Sequence, residues 1–157
     1  MPAKRTLLSA GLLMFRGKAD ALEVLLVHPG GPFFARKDDG VWTIPKGEAA
    51  PGEDLLTRAR IEFEEELGVA PKGDWLPLGH IKQRGGKIVH AWAFAGDLPA
   101  RFELKSNVFR LEWPPRSGRI VEFPEVDRAE FFSESAARLK INPAQLTLLD
   151  RLRDLLA

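Results

Sequence analysis

Residues 47–69 read GEAAPGEDLLTRARIEFEEELGV. Pro51 and Gly52 interrupt any helical periodicity, so residues 47–52 are predicted to form a loop. The next residues are rich in strong helix formers, and they predict a helix over about residues 55–67. This loop and helix are the part of the chain that the remaining elements are expected to hold in place.

The two ends of this helix carry residues that helix ends prefer. Asp54 stands where an N-cap belongs, and its carboxylate can accept a backbone N–H of the first turn. Gly68 stands where a helix ends in the left-handed conformation. At about 100° per residue, one narrow apolar stripe is predicted to be buried against a sheet. Its members are Leu56, Ala59, Phe63 and Leu67.

Three glutamates, Glu62, Glu65 and Glu66, fall together on another face of the same helix. Like charges at helical spacing repel, so a positive group is expected beside them. One reading is a solvated acidic face relieved by lysines and arginines. The other is a site for Mg²⁺, which proteins hold with one or two carboxylates together with the phosphates of a substrate.

The spacing resembles the Nudix box, G-x(5)-E-x(7)-R-E-U-x-E-E-x-G-U, where U is a bulky apolar residue. The matching positions are Gly47, Glu53, Glu62, Phe63, Glu65, Glu66, Gly68 and Val69. Ile61 occupies the arginine position, and in the family that arginine helps to hold the glutamates. Arg58, which projects from the helix toward Glu62 and Glu65, is either a substitute guanidinium or an ordinary surface arginine.

The resemblance implies a fold and a chemistry. The fold is α/β, an α/β/α sandwich with a central mixed β-sheet and helices on both faces, formed by one domain over residues 1–157. Glu62, Glu65 and Glu66 would hold Mg²⁺ or Mn²⁺, and a backbone carbonyl at Gly47 or the preceding residue would join them. Glu62, with Glu65 next, is the expected catalytic base, and Glu53 would support the loop.

Other candidate residues flank the box. Lys46 is expected to contact phosphate, and Trp42 is either a core residue or a platform for a nucleotide base. The loop PGGPFFARKDDG, residues 29–40, is long enough to suggest a role in binding, although a flap that packs its own aromatic side chains is an equal alternative.

The stretch NVFRLEWPPRSGR, residues 107–119, predicts a strand followed by a turn that carries Arg116 and Arg119. Two guanidinium groups suit phosphate oxygens, and a solvated basic turn is the alternative. The resemblance implies a further carboxylate from outside the helix, for which Glu112 is the candidate and Glu103 and Glu122 are rivals.

Composition narrows the class of protein. The chain has 157 residues, 45% of them hydrophobic, which suits one domain. A net charge of +1 gives no overall attraction to nucleic acid or to anionic membranes. With no cysteine and no apolar run of membrane-spanning length, a cytoplasmic location is expected. Lys4 and Arg5 precede an apolar run, but no small-residue cleavage site follows, so a signal peptide is not expected.

Hydrophobic patterning predicts the remaining elements. Apolar runs indicate strands over residues 7–15 and 22–27, and a hairpin joins strands over residues 75–83 and 87–96 through RGG. A strand near residues 128–132 should be followed by a short helix capped by Ser133 and by a last helix opened by Asn142 and Pro143.

Three functions fit this sequence. The first is a hydrolase that cleaves nucleoside diphosphates linked to another group, with dinucleoside polyphosphates slightly ahead of nucleoside triphosphates. Some enzymes for dinucleoside polyphosphates carry a tyrosine after the box, and this chain has none; some for ADP-ribose carry a proline where QRGG stands here. The second is a non-catalytic nucleotide sensor, which Ile61 favours, and the third is an interaction module. A homodimer is an expectation drawn from relatives.

Overall fold

The computed structural model describes residues 7–157, so Lys4 and Arg5 lie outside the described residues. The eight strands are β1 (Leu8–Arg16), β2 (Glu23–Pro29), β3 (Lys46–Glu48), β4 (Leu76–Lys82), β5 (Ile88–Ala95), β6 (Val108–Glu112), β7 (Ile120–Pro124) and β8 (Val126–Ser133). The three α-helices are α1 (Leu55–Leu67), α2 (Glu134–Lys140) and α3 (Leu146–Leu156). None of the helices within residues 7–157 has the length and apolarity needed to span a bilayer.

The main sheet is mixed. Its strand order is β4-β5-β1-β2-β8, and β3 pairs with the first half of β1. Strands β1 and β5 are parallel, and the other pairings are antiparallel. Because β1 lies between β5 on one side and both β2 and β3 on the other, it is the central strand, which explains why Ser9 to Phe15 are buried.

Helices cover both faces of this sheet, as the sequence predicts. The side chains of β1 alternate between the two faces, so Leu12 and Met14 contribute to one core cluster and Leu13 and Phe15 to the other. The first cluster contains the buried residues of α1, which are Ala59, Phe63 and Leu67. The second contains the buried residues of α2 and α3, which are Ala137, Leu148, Leu149 and Leu152.

A separate two-stranded ribbon, β6 and β7, stands beside the loop formed by residues 29–40. A Cβ atom added to Gly31 would lie 2.7 Å from the ring of Phe109, so β6 packs closely on this loop. Phe33 in the loop packs edge-to-face against Trp113 at the end of β6. The loop and the ribbon therefore pack against each other, and Phe34 of the loop lines a pocket together with Glu66 of α1.

The predicted helix ends are confirmed. Asp54 caps α1 by accepting a hydrogen bond from the backbone N–H of Thr57 at 3.0 Å, and Gly68 takes the left-handed conformation with φ 75°. Ser133 caps α2, and Asn142 accepts from the backbone of Ala144.

Two details of the sequence prediction need correction. Gly47 and Glu48 belong to β3, because β1 offers them a pairing edge, and the box loop therefore begins after Glu48. The side chain of Leu56 is only partly buried, whereas the rest of its predicted stripe is fully buried.

Candidate active site

Helix α1 carries its third box glutamate into the protein. Burial raises the pKa of Glu66 to about 8, the charge of Lys46 opposes that change, and the charges of Glu62 and Glu125 add to it. The Oε2 atom of Glu66 is buried without a hydrogen-bond partner in the described structure. A buried carboxylate oxygen with no partner is costly, so this position calls for a positive group.

Lys46 supplies part of that charge. Its ammonium group is largely buried, and burial lowers its pKa, as does the nearby Lys87, while Glu66, Glu48 and Glu62 oppose the change. The residue lies at the start of β3, which pairs with β1 and so has a fixed direction. The fold therefore places Lys46 near the box glutamates, and its contact with phosphate stays a prediction.

Glu62 lies directly over the backbone of Gly47. A Cβ atom built on Gly47 would be 2.1 Å from the carboxyl carbon of Glu62, so only glycine leaves room for the carboxylate in this position. Burial raises the pKa of Glu62, the bond from Arg58 opposes that rise, and the charge of Glu65 adds to it. Glu65 itself is exposed on the helix surface.

Replacing Gly47 with alanine tests this close contact. We expect kcat to fall about tenfold, because the new methyl group displaces the Glu62 carboxylate and a flexible side chain recovers only part of its position. Thermal unfolding should change little, since the clash falls on the end of a side chain. Glu48→Ala on the same strand is the matched control, and equal activities of the two variants would contradict the argument.

Arg58 holds two of the box glutamates together. Its guanidinium donates to both carboxylate oxygens of Glu53 at 2.6–3.0 Å and to Oε1 of Glu62 at 3.2 Å. Glu53 also accepts the backbone N–H of Ala50 at 3.0 Å, which ties the box loop to the helix. Ile61, at the arginine position of the box, is exposed. Arg58 therefore bonds to box glutamates, as a substitute guanidinium would. Its partners are Glu53 and Glu62, whereas the sequence analysis placed it beside Glu62 and Glu65.

A pocket of 270 Å³ opens beside these groups. Lys46 and Glu66 contribute to one wall, Glu125 and Val126 to another, and Phe34 comes from the loop of residues 29–40. Glu125 lies in the short connection between β7 and β8, where pairing of β8 with β2 brings it to the box helix. The sequence prediction missed this residue, although the proline-acidic pair Pro124-Glu125 was a signal that could have found it.

The candidates on the ribbon lie elsewhere. Glu112 is exposed on β6 opposite Ile120, and it does not line this pocket. Its rival Glu122 pairs with Arg110 across the ribbon. Arg116 and Arg119 are exposed in the turn at the tip of the ribbon, also away from the pocket wall. The ribbon extends these side chains outward, because β6 and β7 pair only with each other.

Trp42 is a core residue. Its side chain is almost fully buried, its indole N–H donates to Asp38 at 2.8 Å, and its ring packs edge-to-face against His28 and Phe132. No face of the ring is free for a nucleotide base, so this position argues against the predicted stacking role.

A larger cavity lies away from the glutamates. It has a volume of 860 Å³ and lies at the far end of β1, between Phe15, Leu22 and Leu156. Its lining includes Arg16 and Arg153, and both are already paired with carboxylates. The chemistry available at the smaller pocket, rather than cavity size, therefore identifies the candidate site.

Within residues 7–157, no three carboxylate, imidazole or thiol groups form a preformed metal cage. Mg²⁺ is commonly held by one or two carboxylates together with waters and substrate phosphates, so a cage made only of protein groups is not required.

Comparison with known proteins agrees with this geometry. A model of the NUDIX domain matches residues 5–152. The fold is similar to a C. elegans Ap4A hydrolase binary complex, with a TM-score of 0.66 and 21% identity over 94% of this chain and 97% of that chain. It is also similar to the NUDIX domain of Shewanella oneidensis NrtR complexed with ADP ribose, with a TM-score of 0.66 and 18% identity over 98% and 90%.

A third similar structure is the MutT protein from Methanosarcina mazei Go1, with a TM-score of 0.62 and 18% identity over 98% of this chain and 97% of that chain. The search of curated proteins found no match. The family match covers nearly the whole sequence and includes the box glutamates and the pocket beside them. The chain belongs to the NUDIX domain family, a family of pyrophosphohydrolases.

Proposed function

We propose that this protein hydrolyses a diphosphate linkage in a nucleoside diphosphate derivative with the help of Mg²⁺, for which Mn²⁺ could substitute. The observation that carries the proposal is the buried, unpartnered Oε2 atom of Glu66, in a pocket that Glu125 and Lys46 also line. These groups present negative charge and one cation to a space large enough for a diphosphate.

The donor set fits Mg²⁺. The ion prefers oxygen ligands, and Glu66 and Glu125 supply carboxylates from two different elements. Glu62 and the more exposed Glu65 complete the set that the box implies, and the carbonyl of Gly47 is the proposed backbone ligand. When bound, the cation would neutralise the phosphate oxygens and acidify a water molecule.

The protein groups have separate tasks in the proposed reaction. A water oxygen forms a bond to phosphorus, the bridging P–O bond breaks, and the second phosphate leaves with the bridging oxygen. Glu62, with Glu65 next, is proposed to take the proton from water, since a partly buried carboxylate has the raised pKa that a base needs. Lys46 is proposed to contact a phosphate oxygen.

Dinucleoside polyphosphates are the proposed substrate, and nucleoside triphosphates are the second candidate. Phe34 in the pocket wall offers a ring for a base, and the fold is similar to that of an Ap4A hydrolase. The ribbon tip carries Arg116 and Arg119, which can meet only a substrate that extends beyond the pocket. A long polyphosphate with two nucleosides meets that requirement.

Glu125→Gln tests the additional carboxylate. We expect kcat to fall about tenfold to a hundredfold, because the amide keeps the shape but removes one anionic ligand. Glu112→Gln is the control, since its side chain lies on the exposed ribbon, and its activity should match that of the unmodified protein. A loss of activity in the Glu112 variant alone would restore the ribbon glutamate as the ligand.

A substrate panel decides between enzyme and sensor. The protein is incubated with diadenosine tetraphosphate, ATP and ADP-ribose, with and without Mg²⁺, and the products are identified by mass. Hydrolysis that needs Mg²⁺ supports the proposal. Thermal stabilisation by a nucleotide without product would favour the sensor, for which Ile61 is the specific observation, and no response to nucleotide or Mg²⁺ would favour an interaction module. Light scattering of the protein gives its mass in solution and so tests the proposed homodimer.

A further inference from the structure

A buried histidine lies behind the pocket and has no part in the proposed reaction. His28 is the second-last residue of β2, and its side chain has no exposed surface. The strand is followed directly by the loop of residues 29–40, which brings Phe34 to the pocket. His28 therefore lies where the rigid sheet passes into this loop.

Both ring nitrogens of His28 face hydrogen-bond acceptors. Nε2 lies 2.7 Å from the carbonyl oxygen of Lys37, and Nδ1 lies 2.7 Å from Oδ1 of Asp127. A carbonyl and an ionised carboxylate accept but do not donate. Nε2 therefore donates its hydrogen to the carbonyl of Lys37, and Nδ1 shares a hydrogen bond with the carboxyl group of Asp127.

These two bonds join two segments whose neighbouring residues line the pocket. Lys37 belongs to the loop of residues 29–40, and its backbone N–H donates to the carbonyl of Phe34 at 3.0 Å. Asp127 directly follows Glu125 and Val126, which line the pocket. The chain of contacts therefore runs from Phe34 through Lys37 and His28 to Asp127.

His28 is one of several contacts that anchor the loop. Near its ends, Gly30 donates to the carbonyl of Glu125 at 2.9 Å and Gly40 donates to that of Leu139 at 3.0 Å. Trp42 packs edge-to-face against the histidine ring at 5.1 Å, which limits ring rotation. Asp38 is also held, by the indole N–H of Trp42 at 2.8 Å and by Lys140, and the bond from His28 to Lys37 lies next to it on the side of the turn at Phe34.

We propose that His28 is a positioning residue for substrate binding: its ring fixes the distance between the Phe34 loop and the wall that carries Glu125. The proposal rests on the proposed function in so far as the pocket binds a nucleotide. It assigns His28 no contact with substrate, so its loss should weaken binding more than it slows the chemical step.

His28→Leu tests the proposal, because leucine fills a similar volume with an apolar side chain and removes both hydrogen bonds. With diadenosine tetraphosphate, we expect KM to rise about tenfold while kcat stays within about twofold, since the hydrogen bond that holds the loop is lost and no reacting group moves. His90→Gln, at the partly buried histidine of β5, is the control and should leave both constants unchanged. An equal fall in kcat and rise in KM, or no change in KM, would overturn the proposal.

Hydrogen exchange tests the same contact without any turnover, so its result is separate from the fate of the proposed function. In His28→Leu, the backbone amides of residues 31–38 should exchange about tenfold faster, whereas those of β1 and β5 should not change. Unchanged exchange in the loop, or faster exchange throughout the sheet, contradicts the positioning role.

Two further experiments test the same contact if the His28→Leu variant does not fold. Proton NMR of the unmodified protein should show a hydrogen on Nε2 of His28, since the Lys37 carbonyl can only accept, and the lack of this hydrogen would overturn the bonding scheme. Asp127→Asn replaces a partly exposed side chain and should accelerate exchange in the same loop segment. A loop that is unaffected by Asp127→Asn counts against the connection.

Discussion

Glu66→Gln is expected to abolish hydrolysis while the protein stays folded. The amide has the shape of the carboxylate but removes the buried anionic oxygen that lacks a protein partner. We expect kcat to fall at least about a thousandfold, because a cation ligand that stabilises developing charge contributes several kcal/mol. Turnover of diadenosine tetraphosphate with Mg²⁺ and the midpoint of thermal unfolding are the two measurements.

The control for this variant lies on the same helix. Glu64 is exposed, and Glu64→Gln changes the net charge by the same amount, so its activity should stay near that of the unmodified protein. Fluorescence titration with Mn²⁺ adds a readout of cation binding, which Glu66→Gln should weaken. Activity retained within about tenfold in Glu66→Gln would remove this glutamate from the cation site.

Arg58→Ala is expected to reduce kcat about a hundredfold. The substitution removes the guanidinium that bonds to both oxygens of Glu53 and to Glu62, so the two carboxylates repel and Glu62 leaves its place over Gly47. The pKa of Glu53, which the Arg58 guanidinium holds below its usual range, should return toward the ordinary value. Steady-state kinetics and NMR titration of the glutamates measure the two effects.

Ile61→Arg tests whether an arginine at position 61 can hold the box glutamates in the way that Arg58 does. Added to Arg58→Ala, it should restore part of the lost activity, since position 61 is where the family places this arginine. Arg60→Ala is the matched loss of charge on the same helix, and it should leave kcat unchanged, because Arg60 contacts the ring of Trp75 and not a box glutamate. If Arg58→Ala has full activity, then Arg58 is an ordinary surface residue.

Much of this site was predictable because its signals are local. Helix α1, its cap at Asp54 and its end at Gly68 follow from residues within one or two turns of each other. The glutamate spacing places Glu62 and Glu66 one turn apart on any α-helix, whatever the surrounding fold. The sequence also offered Arg58 as a neighbour of Glu62, four residues away, and the structure shows that ion pair.

The choice of partners from distant segments was not predictable in the same way. Glu112 ends one apolar strand and Glu125 follows another strand with a similar pattern. Local sequence does not say which strand joins the main sheet. That choice depends on β8 pairing with β2, whereas β6 finds its partner only in β7. Trp42 was ambiguous for a similar reason, since burial of an aromatic ring depends on what packs over it.

The box helix, its caps and the glutamate spacing were therefore predictable from local sequence, as was the alternation of side chains between the two faces of each strand. Helix and strand periodicity fix side-chain direction over short distances. Only the tertiary structure placed Glu125 opposite Glu66, removed Arg116 and Arg119 from the pocket wall, and buried His28 between two acceptors. The residues in these contacts lie up to about 100 positions apart in the sequence. Strand pairing and core packing bring them together, and no local pattern encodes that.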